Sequence, residues 1–330
     1  MEWYKIPTGT KLQPFTFIVG GRGIGKSYSA IDEAINEYPG AFLYIRNTEV
    51  QLKESCSAFG NPFKRWAKDH DRDIFVKMEG QHAIVYECPD KENQKNRTIL
   101  GYAAALSTFE NLRSVDLSDV NFIIFEEFIE NRTMMFDQFG AFKHMYETVN
   151  RNRELFGEEP VKVVFLSNAQ RLGNAILRGY NLIPVIESMM KSGQRTATIG
   201  NKRIELPFST VSEAKAKTAL YQDSDDKFIE QALHNKFSND SFTGVKKVNI
   251  NEYTPVVAID GIYIYRHKSE PIFYACSIKA KCKEYRSIDN FIVFYRCYGL
   301  KLKLAAAEDK LFYADYTTKC DLLDRLKMLY

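Results

Sequence analysis

The chain has 330 residues, 45% of them hydrophobic and 26% charged, which is the ordinary globular range and enough to bury one large core or two smaller ones. No apolar run of about 18 residues occurs, and the N-terminus MEWYKIPTGTKLQP lacks the basic, apolar and small-residue pattern of a signal peptide, so a soluble intracellular protein without a membrane partner is expected. Net charge is only +3 but uneven, with 15 Lys and Arg against 10 Asp and Glu in residues 245–330 and 30 against 32 upstream.

In chain order, FTFIV (15–19), AFLYIR (41–46), NFIIF (121–125) and VKVVFLS (161–167) are short apolar runs rich in β-branched and aromatic residues, as parallel strands buried on both faces require. Residues 25–38 and 134–155 between them are helix-like, so strands and helices alternate as in an α/β fold with right-handed crossovers. Residues 74–78, 83–87 and 98–104 alternate more weakly and predict extra edge strands or a hairpin. From 208 to 244 the sequence turns polar and helical, with too few large apolar residues for a core of its own, and reads as a helical lid or linker. After 245, strand-like runs return and the chain closes on a predicted helix, CDLLDRLKMLY, giving a second, smaller domain. The expected domains are therefore 1–207, 208–244 and 245–330. The six cysteines fall at scattered spacings with no C-x-x-C pair and no histidine clustering, which reads as reduced, mostly buried thiols.

Gly20-Gly21-Arg22-Gly23-Ile24-Gly25-Lys26-Ser27 satisfies G-x-x-x-x-G-K-[ST] between a predicted strand and a predicted helix. The glycines let successive N–H groups of the run through Tyr28 point at phosphate oxygens, and the helix N-terminus adds its positive end. Lys26 would place a charge between the β- and γ-phosphates, and the Ser27 hydroxyl would coordinate Mg2+. Such a cradle binds nucleotide without deciding between kinase, GTPase and ATPase. NFIIFEEF (121–128) narrows the choice, because it ends a buried strand in two acids, Glu126 and Glu127. The first would hold the Mg2+ shell, partly through water, and the second would polarise an attacking water. Asn168 ends another strand and would sense the phosphate state, if that strand neighbours the one bearing the glutamates. Arg151 and Arg153 lie near a predicted helix C-terminus, where cations are favourable without any catalytic role. No N-K-x-D motif is present for a GTPase.

FIVGGRGIGKSY, IIFEEFI, VNRNRE and FLSNA together resemble the DNA-packaging ATPases of phi29-like phages, specifically over the first 170 residues and diffusely beyond about 200. The resemblance implies an α/β P-loop NTPase of the ASCE type with a mostly parallel sheet, in which Lys26 and Ser27 bind ATP and Mg2+ and Glu126 stands where the family has aspartate. It implies that Arg151 acts in trans on a neighbour's ATP, that Arg46 lies near the nucleotide, and that Arg113 falls where the family carries a lysine implicated in subunit contacts and nucleotide exchange. It further implies a homopentameric ring, in the host cytoplasm and transiently on the portal vertex of a procapsid, that drives double-stranded DNA inward by ATP hydrolysis.

VVAIDGIYIYRH, with Asp260 before a tight turn, looks like the opening of an RNase H-like fold, and large phage terminases carry a nuclease domain behind the ATPase. Asp289, Asp315 and Asp321 do not sit at clear buried strand ends, so a vestigial nuclease without catalytic metals is expected. KAKCKEYR (279–286), with Lys301 and Lys303, suits nucleic-acid backbones, or alternatively a structural RNA or the portal. Two other functions stay open on the residues: a nucleotide-dependent DNA-binding or scaffolding module that does not turn over, and a P-loop kinase.

Overall fold

The computed structural model describes residues 2–88, 96–112, 115–130, 137–169, 171–207, 209–224, 229, 237 and 242–327. The chain divides into two compact units, Met1–Asn239 and Asp240–Tyr330.

In the first unit the elements that position the site are β1 (Phe15–Val19), α1 (Lys26–Asn36), β2 (Ala41–Arg46), α2 (Glu49–Ser55), α3 (Phe63–Asp69), β3 (Ile74–Glu79), β4 (His82–Glu87), β5 (Thr98–Ala105), β6 (Val120–Glu126), α4 (Gln138–Asn150), β7 (Lys162–Ser167), β8 (Thr196–Ile199) and β9 (Lys202–Glu205). They form one sheet in the order β3-β4-β5-β2-β6-β7-β1-β9-β8. The six strands from β5 to β9 in that order run parallel, and β4, β3 and β8 add antiparallel edges. The fold is mixed α/β with a large, parallel-rich sheet.

The apolar runs follow from burial on both faces. Along β6, Phe122 and Ile124 join the layer under α1 and α3 with Ile18, Phe42, Tyr44, Ile31, Phe63 and Trp66. The alternate residue Phe125 faces the other way, where Phe142 of α4 packs on Phe165 at 4.9 Å and Phe17 stacks on Phe165 at 4.3 Å.

Three features differ from the sequence expectation. β5 lies inside the parallel core beside β2, not at an edge. Its small residues admit close approach, since a Cβ at Gly101 would come 2.4 Å from the Phe42 carbonyl, and they are also why its apolar signal is weak. The β8–β9 hairpin was not expected at all. Finally, α4 stops at Asn150 instead of continuing to 155, because Arg151 takes φ 50 and ends it.

In the second unit, β10 (Tyr253–Ile259), β11 (Ile262–His267), β12 (Phe273–Cys276), β13 (Lys283–Tyr285) and β14 (Leu311–Tyr313) form a sheet in the order β13-β10-β11-β12-β14. The first three make an antiparallel meander, while β13 runs parallel to β10 and β14 parallel to β12. Asp260 at φ 44 and Gly261 at φ 76 form the two-residue turn between β10 and β11, the positive-φ pair that a tight hairpin needs. Helices Ser287–Phe294, Leu300–Ala307 and Tyr316–Lys327 cover one face through Phe294, Leu302, Leu322 and Leu326.

Candidate functional site

Parallel strands bring their C-terminal ends to one edge of a sheet, and β1, β7 and β6 lie side by side there. Val19 is level with Ser167, and Leu166 with Glu126, so the glycine loop after β1, Asn168 after β7 and the acids at the end of β6 converge.

The loop enters α1 through Gly25, whose φ of 102 only glycine adopts at little cost. α1 has no side-chain N-cap and no acid in its first turn, so its first N–H groups and its positive dipole end face the loop without a built-in anion. Lys26 is 7% exposed. Its Nζ donates to the carbonyls of Gly20 at 3.0 Å and Gly21 at 2.6 Å and to Asn168 Oδ1 at 3.2 Å. These partners are neutral, and burial lowers the lysine's pKa to about 8 against the opposing pull of Glu126. A buried ammonium held by neutral oxygens fits an incoming anion.

Ser27 Oγ donates to Glu126 Oε1 at 2.9 Å, while Glu126 Oε2 is buried with no hydrogen-bond partner among the described residues. Burial raises the Glu126 carboxyl above its ordinary value, and the Ser27 hydrogen bond and the charges of Arg46 and Lys26 oppose the shift. A hydroxyl and a carboxylate with an open oxygen, beside a phosphate cradle, form a donor set for a hard divalent cation. The residues therefore fit both a nucleotide and its metal.

Glu127 turns out of the strand at φ 50, and its Oε2 pairs with Arg46 at 2.7 Å. Beneath it lies a buried amide network that the sequence does not announce. Asn47 Nδ2 donates to the Glu127 carbonyl at 2.8 Å and to Glu130 Oε1 at 2.8 Å. Gln138 Nε2 donates to Asn47 Oδ1 and to the Phe128 carbonyl, both at 2.7 Å. Asn174 Nδ2 donates to Gln138 Oε1 at 3.0 Å and to the Phe128 carbonyl at 3.1 Å. Asn47 adjoins Arg46 and was within reach of sequence reading, but nothing local marks Gln138 or Asn174.

The remaining sequence candidates are placed elsewhere. Tyr28 turns its phenol to Asp69 of α3 and faces His70, so only its backbone adjoins the cradle. Arg151 is exposed and loosely held, 3.4 Å from Asp116. Arg153 is anchored to Asn121 Oδ1 and to the carbonyls of Ser118 and Val120, at the start of β6. That end of the strand lies about 20 Å from Glu126 at roughly 3.3 Å per residue, so Arg151 is not brought to the cradle of its own chain. Arg113 lies outside the described residues.

Among solved structures, a chain of the bacteriophage Phi-29 viral genome packaging motor assembly shares the fold, with a TM-score of 0.60 and 19% identity over 98% of this chain and 99% of that one. Among sequences, the DNA packaging proteins of Bacillus phages PZA and phi29 are each 27% identical over 239 residues, 70% of this chain. That similarity spans 64% of each relative's length, less than two thirds. The family model described as Podovirus DNA encapsidation protein (Gp16) matches residues 10–262, most of the chain and all of the site just described, and the chain belongs to that family.

Proposed function

We propose that the chain is the ATPase of a viral DNA-packaging motor, a P-loop enzyme of the ASCE type that couples hydrolysis of ATP to movement of double-stranded DNA. One observation carries this reading: the Lys26 ammonium, the Ser27–Glu126 pair and the Glu127 carboxylate meet at one sheet edge, with β7 and Asn168 between the cradle strand and the glutamate strand. The names of its relatives supply the packaging context.

Gly20 to Ser27 would hold the triphosphate, with Lys26 exchanging loop carbonyls for phosphate oxygens. A divalent cation at Ser27 and Glu126, partly through water, would supply positive charge to the phosphate oxygens. Glu127 would take the proton of the attacking water once it leaves Arg46, and would re-form that ion pair after releasing the proton to solvent. Asn168, already bonded to Lys26, reports whether that lysine is engaged. Arg151 would complete the site of a neighbouring copy in a homopentameric ring on the portal vertex, in the host cytoplasm.

The second unit reads as a vestigial RNase H-like domain that does not cut. Asp260 accepts from Ser287 N at 2.9 Å and from Arg325 Nε at 2.8 Å. Burial would raise its carboxyl, but those two donors outweigh it and hold the group below its ordinary value. An arginine thus occupies the carboxylate that a catalytic metal would need. The exposed Lys279, Lys281, Lys283 and Arg286 give this unit a sequence-independent surface for DNA backbones.

Glu127→Gln tests the reading. DNA-stimulated ATP turnover should fall at least ~100-fold while ATP binding stays within a few-fold of the unmodified chain. Turnover unchanged by the substitution would remove Glu127 from the chemistry. Absence of hydrolysis in both proteins, with nucleotide bound, would favour a nucleotide-dependent scaffolding module.

A further inference from the structure

A second lysine reaches the phosphate loop from outside the motif. Lys215, on the helix Thr210–Ala216, donates from Nζ to the Arg22 carbonyl at 2.7 Å across a separation of 193 residues. It forms no ion pair among the described residues. The G-x-x-x-x-G-K-S pattern leaves position 23 free, yet glycine stands there, and a Cβ at Gly23 would come 2.4 Å from Lys215 Nζ. The loop therefore has a notch, at a residue with φ 62, that the ammonium fills.

The helix carrying Lys215 is tied to the cradle at further points through the N-terminal strap. Ser209 Oγ donates to the Glu2 carbonyl at 2.8 Å, and Glu2 N donates to Thr210 Oγ1 at 3.0 Å. The strap continues with Tyr4 N bonded to the Ile24 carbonyl at 3.0 Å and Ile6 N bonded to Ser29 Oγ at 2.9 Å. The Tyr4 hydroxyl donates to Glu205 Oε2 at the end of β9. Helix, strap, loop and α1 form one hydrogen-bonded assembly, and the Lys215 charge also opposes protonation of Lys26.

We propose that Lys215 is a second phosphate-binding cation, supplied in cis, which trades the Arg22 carbonyl for the terminal phosphate of a bound nucleoside triphosphate and so transmits nucleotide state to the helix Thr210–Ala216. The proposal rests on the nucleotide reading of the cradle. The loop amides and Lys26 serve the phosphates within the cradle, and the phosphate that extends beyond them toward the outer cation is the last one.

The test compares Mg2+-ATPγS and Mg2+-ADP binding to the full chain, with hydrogen exchange of residues 209–216 as a second readout. K215Q keeps a donor for the Arg22 carbonyl but loses the charge. It should bind ATPγS roughly tenfold or more weakly and ADP nearly as before, and K215R should recover most of the loss. ATPγS should slow exchange in 209–216 of the unmodified chain and not of K215Q. If K215Q melts at a lower temperature, the ratio of the two affinities decides, since a loss confined to ATPγS supports the assignment and an equal loss of both nucleotides overturns it. Unchanged ATPγS binding by K215Q, with binding abolished in K26A, also overturns it. Failure of the unmodified chain to bind either nucleotide would sink the cradle reading itself.

Discussion

Glu33 sits on α1, directly behind the cradle helix's first turns, and is only 6% exposed. Burial, reinforced by the charges of Glu37 and Asp32, raises its carboxyl to about 7. The folded state thus binds this proton more tightly than the unfolded chain, whose glutamates titrate near 4.3. The stability linked to the protonated carboxyl is present below that unfolded value and is lost as pH rises through 7. Glu33→Gln should therefore stabilise the protein at pH 8 by about 1–3 kcal/mol and have little effect at pH 4.5. Denaturant midpoints at the two pH values check this, and an equal shift at both would assign the effect to packing instead of charge.

At the scale of elements, the turn after β6 depends on amides borrowed from three others: Asn47 after β2, Gln138 in the first turn of α4, and Asn174 before the helix Ala175–Gly179. All three are buried, so removing one strands its partners. Asn47→Ala should cost about 1–3 kcal/mol of stability and lower turnover, with ATP affinity nearly unchanged, because Asn47 touches the Glu127 backbone and not the cradle. Chemical denaturation and steady-state kinetics measure the two effects, and full turnover in a destabilised variant would limit the network to a structural role. The same elements show what a sequence displays. The central strands are legible because burial on both faces demands unbroken apolar runs, and the glycine loop because local backbone geometry demands glycine. TATI in β8 is not, since an exposed edge strand needs little apolar character, and neither is KRIE in β9, where Ile204 is the one apolar residue. Lys215 and Gln138 reach the site over 193 and 91 residues, contacts set by topology that leave no local pattern.

Taken whole, each of the two units has its own sheet and its own buried core, and among the described residues no helix is long and apolar enough to cross a membrane. In the first unit the cradle lies at the C-terminal end of β6, whereas Arg151 pairs with Asp116, ahead of the start of that strand. Under the packaging reading, a lone chain then carries two half-sites that cannot meet. Turnover becomes a matter of mass action, rising more steeply than linearly with protein concentration until assemblies form. Turnover per chain should fall across a dilution series and return at high concentration, as measured by initial rates with assembly followed in parallel. A rate per chain that ignores dilution, where only monomers remain, would mean that one copy of the chain carries out the whole reaction.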